Sequence, residues 1–138
     1  MDTLSKKDRS ERMGRIRSKD TKPEMAVRRL THALGYRYRL HNRKLPGNPD
    51  LAFAGRRKVI FVHGCYWHRH GAKSCALARL PKSRLDFWLP KLEGNRKRDA
   101  RNRRKLTKLG WKSLVIWECQ LRDLDRVERR IVAFLESE

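Results

Sequence analysis

The chain has 138 residues, of which 36 are Lys or Arg and 15 are Asp or Glu, for a formal net charge of +21. That length suits one compact domain with a real core and leaves little room for a second. A charge of that size calls for a polyanionic partner, nucleic acid being the commonest, and no run of about 18 apolar residues or apolar cleavable leader supports a membrane or secreted alternative. The expectation is a cytoplasmic, nucleoid-associated protein with no membrane partner. Three cysteines, an odd number, argue against a disulfide framework and for thiols that bind metal or lie buried.

Residues 1–20 are charged almost throughout, with Met13 and Ile16 as the main apolar points, and read as a basic N-terminal arm or helix. The remaining chain, 21–138, reads as one domain. Its first helix starts at DTKPE, where Asp20 or Thr21 caps and Pro23 and Glu24 fill the first turn, and stops at Gly35. Met25, Ala26, Leu30 and Leu34 supply the expected buried stripe. YRYRLH alternates like a half-exposed strand. After the rigid LPGNP turn, DLAFA and KVIFV form a hairpin across GRR, with KVIFV as a central strand covered on both faces. The stretch from Leu80 to Gly110 is mostly helical, with a break or a fresh helix N-terminus expected near Pro90 and another break at Gly94. WKSLVIWE is a further buried strand, and DLDRVERRIVAFLESE a closing helix with Val127, Ile131, Phe134 and Leu135 inward. This order gives an α/β domain with a mixed central sheet flanked by helices.

Chemistry concentrates at VHGCYWHRHGAKSC, residues 62–75. Asp50 opens the strand that pairs with the one ending at Val62, so the Asp50 carboxylate and the Val62 backbone carbonyl form an oxygen pair suited to Mg²⁺, which takes hard ligands and leaves room for phosphate oxygens. A simpler role for Asp50 is to close an Asx turn after Pro49, and Glu24 is equally explained by the helix macrodipole. Cys65-x4-His70-x4-Cys75 supplies three zinc-type ligands on one loop, and Cys119, after the strand VIWE, is a fourth if the strands are neighbours; Cys119 as a small buried hydrophobe is the alternative. His63 and His68 remain as candidate proton acceptors or as structural histidines. Tyr66, Trp67 and Trp88 are either core rings or DNA wedges.

TKPE, LPGNPDLAF, KVIFVHGCYWHRH, PKSRLDFW, N-x-x-RD and WxxLVIWEC, in this order from about Ser10 to Arg122, resemble the very-short-patch repair (Vsr) DNA mismatch endonuclease family of the restriction-endonuclease-like superfamily. The resemblance implies a Mg²⁺-dependent enzyme that nicks double-stranded DNA 5′ to the thymine of a T·G mismatch left by deamination of 5-methylcytosine. It implies Asp50 and the Val62 carbonyl as Mg²⁺ ligands, and His68 as general base. His63 and Glu24 would support the hydration of the metal or the leaving group. It further implies structural Zn²⁺ on Cys65, His70, Cys75 and Cys119, and Tyr66, Trp67 and Trp88 as rings entering the DNA beside the mismatch. Val62 stands where the best-known form of the family has threonine, and the gap from His70 to Cys75 exceeds the compact His-x-Cys of that form. A monomer is expected, with mismatch-repair proteins as a further partner class. Two other readings remain open: a restriction or phage-defence nuclease of the same fold, and a non-catalytic zinc-stabilised DNA-binding module.

Overall fold

The computed structural model describes residues 21–65, 68, 70 and 85–138. The N-terminal arm, Tyr66, Trp67 and Cys75 therefore lie outside the described residues. Helix α1 (Lys22–Ala33) begins where Thr21 Oγ1 accepts the Glu24 N–H at 3.3 Å, with Pro23 in the first turn. Short strand β1 (Arg39–Leu40) leads through the Pro-Gly-Asn turn to β2 (Leu51–Phe53), and a 3₁₀ turn (Ala54–Arg56) connects to β3 (Lys58–His63). Helix α2 (Leu85–Lys108), strand β4 (Lys112–Trp117), a second 3₁₀ turn (Glu118–Arg122) and helix α3 (Leu124–Glu136) complete the chain.

The four strands lie in sequence order, with β1–β2 and β2–β3 antiparallel and β3–β4 parallel over six residue pairs, from Lys58↔Lys112 to His63↔Trp117. Strand alternation divides the core into two layers. Leu51, Phe53, Ile60 and Ile116 face α1 and α3, packing on Val27, Val127, Ile131 and Leu135. Ala52, Val59, Phe61 and Val115 face the other way, onto Leu106 of α2. The strand KVIFV is thus covered on both sides, as its unbroken apolar run requires.

Two expectations need correcting. Pro90 and Gly94 do not break the helix, which runs uninterrupted for 24 residues. Pro90 is its sixth residue, so the missing N–H costs a single hydrogen bond close to the N-terminus, where few intrahelical bonds are yet closed. The buried stripe of α1 is Glu24, Val27 and Thr31, with Leu30 and Leu34 only partly covered. Thr31 satisfies its hydroxyl on Val27 O at 2.7 Å, so both polar members of the stripe have partners.

At the start of β3, buried Lys58 runs under the C-terminus of α3 and donates to Phe134 O at 2.7 Å, Leu135 O at 3.2 Å, Ser137 Oγ at 3.1 Å and Ser137 O. It satisfies carbonyls that no helical N–H reaches, with its charge at the negative end of the macrodipole. Lys58→Met is expected to destabilise the fold by about 2–3 kcal/mol, the usual cost of losing charge-assisted bonds. Urea unfolding measures this, and DNA cleavage by the folded fraction should not change, since Lys58 lies at the opposite end of β3 from the site described next.

Candidate active site

A cavity of about 810 Å³ opens at the C-terminal ends of the parallel strands β3 and β4, where loops rather than paired backbone present side chains. Its lining brings together Glu24 from α1, Asp50, Val62 and His63 from the sheet, His68 from the following loop, and Lys91, Asn95, Arg98 and Asp99 from one face of α2. The turn before Asp50 is shaped by Gly47, whose φ of +82° disfavours any side chain and where an added Cβ would sit 3.1 Å from the Phe61 ring and force it to shift. Buried Pro49 then sets Asp50 against the strand end.

Asp50 Oδ2 accepts the Val62 N–H at 2.6 Å. In a pleated strand the N–H and C=O of one residue face the same neighbour, so the Val62 carbonyl points to the same edge, beyond the last β2–β3 pair, Leu51↔Ile60. Glu24 is buried beside it. Its Oε1 accepts from His41 Nε2 at 2.6 Å and its Oε2 from Arg28 at 2.5 Å, and His41 Nε2 is 4.0 Å from Asp50 Oδ1. Burial, reinforced by the neighbouring Glu24 carboxylate, pushes Asp50 up to about 8. A carboxyl that resists ionisation beside a second carboxylate suits a divalent cation, which would remove the conflict. The hard oxygens of Asp50, Glu24 and Val62 fit Mg²⁺.

This shift has a thermodynamic sign. Between about 4, where an unfolded aspartate ionises, and about 8, folded Asp50 keeps a proton that the unfolded chain has released, so its contribution to stability falls as pH rises. His63 acts the other way. Burial first, then the adjacent His68 ring, lower it to about 3, so stability is lost as pH falls from about 6.5. Comparing wild type with Asp50→Asn cancels the His63 contribution. In chelating buffer the variant is expected to gain on wild type steadily from pH 5 to pH 8, measured by urea unfolding; a constant difference would mean that Asp50 ionises normally.

The rings of His63 and His68 stack with centroids 3.9 Å apart and planes 3° from parallel. His68 Nδ1–H donates to Asp99 Oδ2 at 2.6 Å, which leaves the lone pair of the neutral ring on Nε2. His63 is buried, and its Nδ1 has no hydrogen-bond partner among the described residues. Two stacked imidazoles do not both carry charge readily, and the carboxylate lies on the His68 side. The stack therefore divides the roles, with His68 able to take a proton and His63 held neutral.

Behind this pair, Trp117 stands edge-on to His63 at 5.1 Å and stacks on His70 at 4.2 Å. His70 Nδ1 is 3.5 Å from Cys119 Sγ, and the Cys119 N–H donates to Cys65 Sγ at 3.4 Å. The parallel pairing of β3 with β4 is what brings Cys119 to Cys65, as the sequence reading required. Tetrahedral zinc places sulfur and nitrogen ligands about 3.5 Å apart, so the Cys65, His70 and Cys119 group fits that ion. Trp88 is half-buried, paired edge-on with exposed Phe87 at 5.1 Å, and has Lys91 Nζ 5.7 Å from its ring centre. It is no part of the two core clusters.

Sequence reasoning gave no role to His41, Asp99 or Trp117. Asp99 was legible in principle: Lys91, Asn95, Arg98 and Asp99 recur at helical spacing on an otherwise charged helix. His41 left no such signal, because its partners are 17 and 9 residues away in different elements.

Residues 1–76 match the family model described as DNA mismatch endonuclease Vsr. The chain is 51% identical over 135 residues to the type II nicking enzyme V.XorIIP of Xanthomonas oryzae pv. oryzae, covering 98% of this chain and 97% of that one. It is 41% identical over 122 residues to the type II nicking enzyme V.NmeAIP of Neisseria meningitidis, with 88% and 85% covered. It is 39% identical over 126 residues to the DNA mismatch endonuclease Vsr of Escherichia coli, with 91% and 79% covered. Among solved structures, the catalytic domain of homing endonuclease I-Bth0305I superposes with a TM-score of 0.57 at 21% identity, covering 86% of this chain and all of that domain, which supports a restriction-endonuclease-like fold. With its sequence matches and its cavity in agreement, the chain belongs to the Vsr family of DNA mismatch endonucleases and is a DNA endonuclease.

Proposed function

We propose that this endonuclease nicks one strand of double-stranded DNA 5′ to the thymine of a T·G mismatch, using Asp50, His68 and Asp99 with Mg²⁺. The observation that carries the reading is the His68–Asp99 pair sharing one cavity with the Asp50 and Val62 strand end. Asp50, the Val62 carbonyl and Glu24 would hold the cation. Mg²⁺ in that place would neutralise charge on the scissile phosphate and on the leaving oxygen. His68 Nε2 removes the proton from the attacking water, and Asp99 fixes the ring and supports the imidazolium that forms. His63 keeps the neighbouring ring position neutral and water-poor. Lys91 and Arg98 face the phosphates, in a chain whose charge of +21 favours a polyanion.

The mismatch preference rests on family membership, the E. coli relative being named a mismatch endonuclease, and on aromatic side chains that lower the cost of opening a weakly stacked step. Trp88 beside the cavity-lining face of α2, together with Tyr66 and Trp67, which follow Cys65 in the sequence, would fill that role. Single-turnover nicking of duplexes that differ only in T·G, T·A or C·G at one position tests it. Cleavage confined to the T·G strand is expected; equal cutting of T·A would make this a nicking enzyme for intact sites instead.

Cys65, His70 and Cys119, with Cys75 as fourth ligand, are proposed to hold structural zinc, supported by the sulfur–nitrogen spacing. One zinc per chain is expected by metal analysis. Cys119→Ser should lower the unfolding midpoint and release zinc to a chelator, because structural zinc contributes directly to folding. Active protein purified without zinc would remove this part of the proposal.

A further inference from the structure

We propose that His41 is an inner-sphere nitrogen ligand that joins Glu24 and Asp50 in holding a divalent cation, and that its imidazole biases the site toward Mn²⁺ over Mg²⁺. The inference rests on the metal-dependent nuclease reading and adds a ligand that reading does not contain. Its basis is geometric. His41 Nε2, Glu24 Oε1 and Asp50 Oδ1 converge from three separate elements, with Nε2 2.6 Å from Glu24 and 4.0 Å from Asp50. Around a six-coordinate ion with ligands at about 2.1 Å, neighbouring donors stand about 3.0 Å apart and opposite donors about 4.2 Å. The observed distances match one adjacent and one opposite pair after a shift of a few tenths of an ångström.

The surroundings hold the imidazole there. His41 follows β1 in a left-handed backbone conformation with φ of 46°, and its N–H donates to Asp50 O at 3.3 Å, so the backbones of the two candidate ligands are tied together. Arg28 donates to Glu24 Oε2 at 2.5 Å, leaving Oε1 toward His41, and the same guanidinium nitrogen stands 3.4 Å from His41 Nε2, so the ring must turn its nitrogen from Arg28 to the ion. Two carboxylates against one guanidinium keep the site attractive to a cation. A nitrogen ligand matters chemically because Mg²⁺ strongly prefers oxygen, whereas Mn²⁺ accepts imidazole with little penalty.

The test needs no DNA. Mn²⁺ is titrated into zinc-loaded full-length protein and followed by calorimetry and by pulsed electron paramagnetic resonance, which detects a directly bound nitrogen. Wild type should bind Mn²⁺ with an imidazole-nitrogen modulation. His41→Gln should lose that modulation and bind Mn²⁺ about tenfold more weakly, with a smaller change for Mg²⁺. Bound Mn²⁺ without nitrogen modulation in wild type, or modulation that survives in His41→Gln, overturns the assignment, the latter pointing to His63 or His68. The wild-type spectrum is decisive even if one variant folds poorly, and His41→Asn is a second replacement. Nitrogen-ligated Mn²⁺ together with no nicking of any duplex would overturn the nuclease reading of this cavity while leaving His41 a ligand.

Discussion

Asp50→Asn is expected to reduce nicking by at least about a thousandfold, the scale seen when a principal electrostatic stabiliser is removed, while DNA binding stays within a few-fold of wild type. The amide is nearly isosteric and still accepts the Val62 N–H through its oxygen, so the strand end should keep its shape. What it lacks is charge. Phosphodiester cleavage builds negative charge on the phosphate and the departing oxygen, and a site that cannot bind a cation leaves that charge to side chains such as Lys91 and Arg98. Binding has other sources, since a net charge of +21 displaces counterions wherever phosphates meet the surface. Without the cation, protonated Asp50 and the amide carry the same charge near neutral pH, so the substitution should leave that binding almost unchanged. The measurement is a pair of experiments on one T·G duplex: single-turnover nicking with saturating Mg²⁺, and equilibrium binding without it. Activity within tenfold of wild type would remove Asp50 from the chemistry; equal loss of binding and cleavage would make it a DNA-positioning residue.

The parts of this site that were legible in the sequence are those tied to local chemistry. Pro49-Asp50 at a strand start and the ligand-rich loop after KVIFV announce themselves, because hard oxygen donors and clustered thiols and imidazoles have few other uses at that density. The hairpin across GRR and the central place of β3 followed from the turn and the unbroken apolar run, while the parallel pairing of β3 with β4 came only from the structure. What stayed hidden depends on packing between distant segments. Glu24 looked like an ordinary acidic residue in a first helical turn; only the fold reveals that it is 3% exposed and shared between Arg28 and His41. Thr31 joined the buried stripe because a hydroxyl can bond back to Val27 O, which amphipathic pattern reading scores as polar. Pro90 misled for the opposite reason. The breaker rule is local, yet near a helix N-terminus the rule has little to break.

His68→Ala is expected to lower turnover by about a hundredfold to ten-thousandfold, the range for a lost general base, and Asp99→Asn by a smaller factor. Their combination is the informative experiment. Asp99 meets His68 Nδ1 at 2.6 Å, so if its role is to hold and charge-stabilise that ring, it has nothing left to do once the ring is gone. The double variant should then be no slower than His68→Ala alone, the non-additivity expected of residues that act as one unit. Added imidazole should restore part of the rate in His68→Ala, where a small base can enter the vacated space, and should restore less when Asp99→Asn is also present, because the carboxylate that orients it is missing. DNA affinity and zinc content should be unchanged in all three variants, which separates chemistry from folding. Independent, multiplying losses would assign Asp99 to direct contact with DNA or water. No rate loss in His68→Ala would shift the base to His63, whose burial and depression to about 3 make it a poor acceptor of protons at neutral pH; the stacked geometry therefore favours His68 on both counts.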